Sequence, residues 1–518
     1  MTDVPTPPDE RQTANLTRST LAGLQWAYLG SAAGAVLQFG MTAVMARLLT
    51  PAAFGLVALA GLFLRFVNYF AKAGISQALI QKLQLTQHDL RAAFTLSTGL
   101  AAGFSIVVLL LAPLAGEVAQ DPAVVPVLRW LALGLILQGL GAPSLALLRR
   151  DLRFKHLALI EVGSYAIGYI GVGLSMALMG FGVYALVAAM LTQGTVSTVS
   201  AYLLIRHPVL PTRATQSYRS ILSFGARISV VGFFEFLQSN LDTLAVGRWA
   251  GATQLGLYNR AKLLAELPSY QLMSGLSQVL FPSFSAIQRD RERLFGAYRI
   301  AVGSAAAIVL PLNAGMAIAA PEIVMVLLGP QWDGAIDVMP WLLLASSITL
   351  VGHFAGVVAE AQAALNAKIL IAIATTTTLA LLLVLAEGRS LAAYGAAVAA
   401  SAVVSHVGYV AVLRRTLQKT FKELISPYGR SLLAAVIVAS AIAAAREGLV
   451  RLGAPLVAVF AIEILVGAAT LFGLLRVGVL RPFRLEFARR LAASGMLNAD
   501  AGLPGRALRW LLGTVPAQ

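Results

Sequence analysis

The sequence predicts an all-α polytopic membrane protein with 14 transmembrane helices, arranged as two pseudo-symmetric six-helix lobes followed by two further helices. Three observations support this fold class: an apolar composition, a series of apolar segments long enough to cross a bilayer, and a stretch that recurs 201 positions along the chain. Of the 518 residues, 58% are hydrophobic and 12% are charged. Soluble domains carry about 25% charged residues, so the composition requires a lipid environment.

The 14 apolar segments each approach the roughly 20 residues that a spanning helix needs. They cover approximately residues 24–46, 54–77, 92–115, 127–148, 157–179, 182–205, 222–246, 254–280, 300–320, 338–359, 368–386, 391–413, 431–446 and 453–475. Residues 1–23 are polar and proline-rich, without the apolar core of a signal peptide, which predicts a flexible cytoplasmic tail. In the tail 476–518, Phe483, Phe487 and Leu491 are one helical turn apart, which predicts an amphipathic helix at the membrane surface.

Basic residues provide an independent check on this topology. With the N-terminus in the cytoplasm, 28 of the 39 Lys and Arg residues fall in predicted cytoplasmic loops and tails, and five fall in predicted outer loops. This asymmetry follows the positive-inside rule and predicts that both termini are cytoplasmic. The net charge of +16 therefore indicates orientation and attraction to anionic membrane lipids, and no nucleic-acid partner is expected.

The internal repeat relates residues 47–80 to residues 248–281, with ten identities in 34 ungapped positions that include Gly55/Gly256. Coincidence between two Leu/Ala-rich segments is the alternative explanation. An even number of helices separates the two copies, so both have the same orientation, as in transporters with parallel repeats. The predicted domains are an N lobe at 24–205, an inter-lobe loop at 206–221, a C lobe at 222–413 and a final helix pair at 431–475.

Polar side chains inside the predicted spans are candidates for function, because a charge in the bilayer is costly and usually faces a water-filled interior. Arg65, Asn68 and Lys72 share one face of the second helix. An ion pair with a structural role is the alternative for Arg65, and Lys72 is also close enough to the cytoplasmic end to extend toward it.

The seventh and eighth helices carry both acids and bases. Arg260 and Lys262 add to the cations of the second helix, and a cationic cavity favours an anionic substrate such as a phosphate. Three acids are candidates for binding a coupling H⁺ or Na⁺, namely Glu235, Asp242 and Glu266. An alternative is that Asp242 pairs with Arg260 or Lys262 and only holds the helices together.

Enzyme chemistry finds little support in the sequence. The chain has no cysteine, only five histidines and no metal-ligand spacing, so no catalytic residue, metal or cofactor is predicted. The outer loops are short, and no paired carboxylates stand out in them. A membrane glycosyltransferase or polymerase remains an alternative class. The single acids within helices, including Glu463, are expected to have structural roles.

Three stretches resemble the Wzx-type oligosaccharide flippases, in the polysaccharide transporter branch of the multidrug/oligosaccharidyl-lipid/polysaccharide (MOP) superfamily. They are residues 242–260 (DTLAVGRWAGATQLGLYNR), residues 48–59 (LLTPAAFGLVAL) and residues 268–282, which end in Phe-Pro. The likeness extends over about residues 20–475. Within this branch, the chain resembles the colanic-acid and xanthan flippases.

The resemblance implies a MATE-like fold, alternating access, and transfer of an undecaprenyl-diphosphate-linked oligosaccharide repeat unit across a bacterial inner membrane for exopolysaccharide or lipopolysaccharide biosynthesis. It also implies functional association with a polysaccharide polymerase and glycosyltransferases. Flippases of this type have basic side chains in the central cavity, and Arg65, Lys72, Arg260 and Lys262 are the positions that would serve here. A MATE-like multidrug antiporter is the alternative within transport, although a cationic drug would need a more acidic cavity.

Overall fold

The computed structural model describes residues 33–71, 75–82, 85–211, 239–362 and 364–476, together with residues 30, 236, 479 and 480. In these ranges all regular structure is helical, and no β-strand occurs. The chain divides into two compact units, residues 1–256 and residues 257–518. The predicted all-α fold class is therefore confirmed, whereas the predicted lobe boundaries remain predictions.

Besides the short helical segments Ala320–Ile323, Val324–Leu328 and Pro330–Ala335, the described residues form 15 helices. They are α1 (Ala33–Leu48), α2 (Pro51–Ala71), α3 (Ile75–Gln81), α4 (Gln87–Ala119), α5 (Val124–Arg150), α6 (Phe154–Leu178), α7 (Val183–Leu204), α8 (239–249), α9 (Gly251–Ala286), α10 (Arg291–Ile318), α11 (Met339–Ala361), α12 (Leu365–Leu385), α13 (Leu391–Leu417), α14 (Phe421–Arg451) and α15 (Leu456–Arg476). Ten helices in the described part of the chain, α4–α7 and α10–α15, are long and apolar enough to cross a membrane. The protein is thus a multi-pass membrane protein.

The other four predicted spans fall on α1, on α2 with α3, on α8 and on α9. These are the first two segments of each predicted lobe, and they contain the repeated sequence. The helix α9 has 36 residues, which is ample for a span, but Arg260, Lys262 and Glu266 make it polar. Residues 222–235 of the predicted seventh span lie outside the described residues, so the total of 14 spans stays a prediction.

In the first unit, small and hydroxyl-bearing residues allow the long helices to approach closely. A Cβ added to Gly139 on α5 would lie 2.6 Å from the carbonyl oxygen of Ser97 on α4. Nearby, Ser105 Oγ donates to the carbonyl oxygen of Ala132 over 2.9 Å, again joining α4 to α5. In a membrane, such packing and hydrogen bonding replace the hydrophobic effect as the force that holds helices together.

Basic and acidic residues secure the helix ends on one side of the first unit. Arg150, the last residue of α5, donates from Nη1 to the carbonyl oxygen of Leu79 at the end of α3 over 2.7 Å. The helix α4 begins with a capping box, in which Thr86 and Asp89 bond each other's backbone N–H groups. Lys82 Nζ also lies 2.7 Å from the buried carboxylate of Asp89. Arg150 and Lys82 contribute to the positive-inside asymmetry of the sequence, and in the structure they also stabilise helix ends.

In the second unit, a core of large apolar residues lies where α10, α11 and α13 pack together, with Phe354 on α11 almost fully buried. Two buried polar contacts join helices across this region. Asn313 Nδ2 on α10 donates to Ser347 Oγ on α11 over 2.9 Å. The hydroxyl groups of Tyr298 on α10 and Tyr428 on α14 are 3.0 Å apart. Such contacts satisfy polar groups that hydrocarbon cannot solvate.

The helix α14 is longer than the apolar segment that predicts it. The apolar run suggests a span at 431–446, whereas the helix covers Phe421–Arg451. Its first turn is stabilised by a capping box, in which Thr420 Oγ1 accepts from the backbone N–H of Glu423 and the Glu423 carboxylate accepts from that of Thr420. Hydropathy measures only the part in lipid, so it misses a helix start made by polar residues.

His207 follows α7 in the loop that leads out of the first unit and is 5% exposed. Its ring contacts those of Phe94 and Tyr202, with centroids 5.4 Å away in both cases. Burial lowers the pKa of His207, and the backbone carbonyl of Pro208 offsets this only in part. The folded protein therefore favours the neutral imidazole.

We predict that His207→Phe reduces the acid sensitivity of the folded protein. Because the pKa of His207 is lower in the folded chain than in the unfolded chain, its contribution to stability is present above about pH 6.5 and is lost as pH falls through the folded value. The unfolding temperature of the purified protein is measured at about pH 8 and about pH 5.5. The variant should lose less on acidification than the wild type, and an equal loss in the two proteins would contradict the prediction.

Candidate substrate and coupling sites

The candidate residues divide between the two units. Arg65 and Asp242 belong to the first unit, and Arg260, Lys262 and Glu266 belong to the second. The side chain of Asn68, and Lys72 and Glu235 altogether, lie outside the described residues. No group of three or more His, Asp or Glu side chains that could hold a metal ion occurs in the described part of the chain.

Arg65 lies on α2 about 21 Å from the first residue of the helix, at 1.5 Å per residue. Its side chain is exposed, whereas Leu62 and Leu64 beside it are buried. The guanidinium runs back along its own helix, with Nη1 3.5 Å from the position that a Cβ of Gly61 would occupy. An exposed guanidinium can bind an anionic ligand, so the face of α2 that carries Arg65 is suited to one.

Asp242 on α8 is the buried acid among the coupling candidates that the structure describes. The residue is 3% exposed, and its Oδ1 accepts a hydrogen bond from the backbone N–H of Thr243 over 2.7 Å. Its neighbours Ala245 and Val246 are also buried. The Asp242 carboxylate is therefore enclosed by the protein rather than by solvent.

Burial varies among the residues of α9 around its charged side chains. Tyr258, Ala261 and Ala265 are fully buried, whereas Lys262 is partly buried and Glu266 is exposed. Lys262 Nζ is 4.0 Å from Glu266 Oε1, one turn further along. The Lys262 side chain is 17% exposed and that of Glu266 is 57% exposed, so the acid is the more accessible member of this i,i+4 pair.

The two copies of the repeat meet at a reciprocal contact between α2 and the start of α9. A Cβ at Gly55 would overlap the carbonyl oxygen of Ala252, and a Cβ at Gly256 would overlap the carbonyl oxygen of Pro51. With the offset of 201 positions, Pro51 corresponds to Ala252 and Gly55 to Gly256. Contacts that exchange equivalent residues in this way are the mark of a two-fold relationship. The geometry thus agrees with a parallel repeat.

Sequence reasoning identifies Gly55 and Gly256 as identical positions but assigns them no role. The signal is in the alignment itself, because a glycine kept in both copies of a helix marks a close approach of two backbones. Sequence reasoning also overlooks a buried cluster in the second unit, formed by Glu322, Arg446 and Glu463. The three residues are far apart in the sequence, and only the fold brings them together.

Residues 44–337 match the family of polysaccharide biosynthesis proteins. The matched region is more than half of the chain and includes both copies of the repeat, and the chain therefore belongs to this family. The resemblance to the Wzx-type branch of the MOP superfamily is confirmed.

Curated relatives agree with this family. The lipopolysaccharide biosynthesis protein WzxC of Escherichia coli (strain K12) is 25% identical over 351 residues, which cover 67% of this chain and 71% of WzxC. The succinoglycan biosynthesis transport protein ExoT of Rhizobium meliloti (strain 1021) is 26% identical over 325 residues, which cover 62% of this chain and 65% of ExoT. The teichuronic acid biosynthesis protein TuaB of Bacillus subtilis (strain 168) is 20% identical over 339 residues, or 65% of this chain and 70% of TuaB.

Solved structures show the same fold. The lipid II flippase MurJ in an inward closed conformation superposes with a TM-score of 0.68 at 13% identity, covering 90% of this chain and 99% of MurJ. An inward-facing multidrug resistance MATE family transporter of the MOP superfamily gives a TM-score of 0.51 at 18% identity, covering 76% of this chain and 96% of the transporter. The chain therefore has the fold of a MOP transporter.

We predict that Gly55→Ala and Gly256→Ala each destabilise the protein by about 1–3 kcal/mol, because the added methyl group meets a backbone that cannot rotate away. The control is Gly103→Ala in α4, where nothing lies within 4 Å of the added Cβ. Alanine forms helix better than glycine, so this control should be neutral or slightly stabilising. Thermal unfolding in detergent compares the three variants with the wild type. Unfolding temperatures of Gly55→Ala and Gly103→Ala that do not differ would contradict the close contact.

Proposed function

We propose that this protein is a flippase that moves undecaprenyl-diphosphate-linked oligosaccharide repeat units from the cytoplasmic to the periplasmic leaflet by alternating access. The observation that carries this proposal is the match to the polysaccharide biosynthesis family across both repeat copies, in a chain with the fold of a MOP transporter. The relatives WzxC and ExoT are named for lipopolysaccharide biosynthesis and for succinoglycan transport, which supports a polysaccharide precursor as substrate.

Basic residues in the polar helices are suited to the diphosphate of such a substrate. Arg65 on α2 is exposed, and Lys262 on α9 is partly buried, with Nζ 4.0 Å from Oε1 of Glu266. Guanidinium and ammonium groups form short, charge-assisted hydrogen bonds to phosphate oxygens. We propose Arg65, Lys72, Arg260 and Lys262 as diphosphate ligands, with Asn68 contacting either the phosphates or the sugars.

An ion gradient is the proposed energy source for the directional step. Asp242 is the strongest of the three predicted coupling acids, since it is buried in a membrane helix. Glu266 is exposed and lies beside Lys262, which makes it a weaker site for H⁺ or Na⁺. Glu235 remains a candidate outside the described residues. The drug-antiport alternative has the shared fold in its favour, but the family match favours a polysaccharide precursor.

We place the protein in the bacterial inner membrane with both termini in the cytoplasm, because the basic residues of the loops follow the positive-inside rule. In this position it would receive lipid-linked repeat units from glycosyltransferases on the cytoplasmic face. It would deliver them to a polysaccharide polymerase on the periplasmic face. Functional association with both kinds of enzyme is part of the proposal.

We predict that Arg65→Ala and Arg260→Ala each reduce export of lipid-linked repeat units about tenfold or more. A hydrogen bond to a charged group contributes about 1.5–3 kcal/mol, and a tenfold change corresponds to about 1.4 kcal/mol. Export is measured in cells that lack their own flippase and express each variant to the same level.

Two controls accompany this experiment. Arg129→Ala removes an exposed arginine from the apolar helix α5 and should leave export unchanged. Arg65→Lys keeps the charge but loses the bidentate geometry of the guanidinium, so it should fall between the wild type and Arg65→Ala. Full export by both Arg65→Ala and Arg260→Ala would remove the phosphate-binding part of the proposal.

We predict that a cysteine at position 387 is labelled from outside the cell and that one at position 288 is not. The chain has no native cysteine, so Glu387→Cys and Gln288→Cys each introduce a single reactive thiol at an exposed connection between helices. A membrane-impermeant maleimide applied to intact spheroplasts should modify the first variant, and the second only after permeabilisation. The reverse pattern would show that the proposed orientation is inverted.

A further inference from the structure

A buried charge cluster lies in the second unit, on helices that carry none of the predicted site residues. Arg446 on α14 directs its Nε toward two glutamates. It lies 2.8 Å from Oε1 of Glu322, in the helical turn Ala320–Ile323, and 4.0 Å from Oε1 of Glu463 on α15. The first distance is that of a charge-assisted hydrogen bond, and the second is too long for a hydrogen bond.

The two carboxyl groups are more deeply buried than the guanidinium. Glu463 is 1% exposed and Glu322 is 3% exposed, whereas 37% of the Arg446 side chain is exposed. Among the described residues, neither oxygen of Glu463 has a hydrogen-bond partner, and neither does Oε2 of Glu322. One guanidinium therefore faces two buried acids and satisfies only one of them.

Charge counting determines the state of Glu463. If both acids were ionised, the cluster would carry an uncompensated negative charge on an apolar helix, without hydrogen bonds to stabilise it. Facing Glu463 are Glu322 from the turn at 320–323 and Arg446 from α14, while α10 contributes only apolar atoms through Pro311, Gly315 and Met316. A bound proton removes the excess charge, and a guanidinium this close disfavours a metal cation.

Two cavities flank the cluster and give it the access that a proton needs. Glu463 lines an apolar cavity of about 260 Å³ together with Phe460 and Ile464. Arg446 lines a second cavity of about 450 Å³ together with Asp337 and Glu447. Water beside the charged groups of the second cavity can exchange protons with the cluster past the partly exposed guanidinium, and the apolar cavity leaves the Glu463 carboxyl room to rotate.

We propose that Glu463 is a proton-binding site, protonated in the conformation described here, and that loss of its proton draws Arg446 from Glu322 toward Glu463. The proton leaves the carboxyl oxygen for water in the cavity that Arg446 lines, and the carboxylate that remains competes for the single guanidinium. This exchange alters the contacts among α14, α15 and the turn at 320–323. Any link between the exchange and substrate movement rests on the proposed flippase function.

The test is an infrared pH titration of the full-length protein in lipid nanodiscs. The wild type should show the carbonyl stretch of a buried protonated carboxylic acid, which disappears as the pH rises. Glu463→Gln keeps the shape of the neutral acid and should lose this band. Glu447→Gln is the matched control, since Glu447 lies beside Arg446 in the chain, is exposed and pairs with Arg451, and it should keep the band. A titration of Glu463→Gln identical to that of the wild type would overturn the proposal.

The direction of change in a second variant tests the charge coupling. Glu322→Gln removes a repelling charge and frees Arg446, so Glu463 should bind its proton about tenfold more weakly and the band should disappear at lower pH. Arg446→Gln should have the opposite effect. A residue that served only to pack the helices would leave the titration of Glu322→Gln unchanged, and that result would also overturn the proposal. The readout needs no substrate, so its failure is distinct from a failure of the export experiment.

Discussion

The cost of placing a charge in hydrocarbon is the constraint on which the arrangement of this protein depends. At the centre of a membrane helix this cost is about 2.5–3.5 kcal/mol on insertion scales, which exceeds what a weak ion pair returns. The helix α9 meets the constraint by burying Tyr258 and Ala261 in the protein while Glu266 stays exposed, with Lys262 within 4.0 Å of it. The ten apolar helices meet it by carrying few charges, and they pack instead through small and hydroxyl-bearing residues.

The repeat shows that backbone geometry and side-chain chemistry can change independently. Gly55 and Gly256 are identical in the two copies and make equivalent contacts, which only a residue without a side chain permits. The charges on the same helices do not correspond, since Arg65 aligns with Glu266. The two copies therefore share a packing site but differ in the charges that they carry.

Much of the fold can be predicted from the sequence, because hydropathy measures the property that places a helix in lipid. The segment predicted at 182–205 corresponds to α7 at Val183–Leu204. Helix ends made by polar residues are less accessible, as the capping box at Thr420 shows for α14. Contacts between distant charges are not accessible at all, since Glu322 and Arg446 are 124 positions apart. For the candidate site, the sequence predicts which residues are polar, whereas their partners depend on the fold.

The depth of Glu463 has an electrical consequence. It is seven residues into α15, about 10 Å from the first residue of the helix, or a third of a hydrocarbon core of about 30 Å. Taking the start of α15 as the membrane boundary, a proton that reaches this carboxyl crosses about a third of the transmembrane voltage. With about 2.3 kcal/mol for one charge across 100 mV, this amounts to about 0.8 kcal/mol, or roughly a fourfold change in occupancy. Polarisation of the membrane would thus adjust how often Glu463 is protonated, even at constant pH.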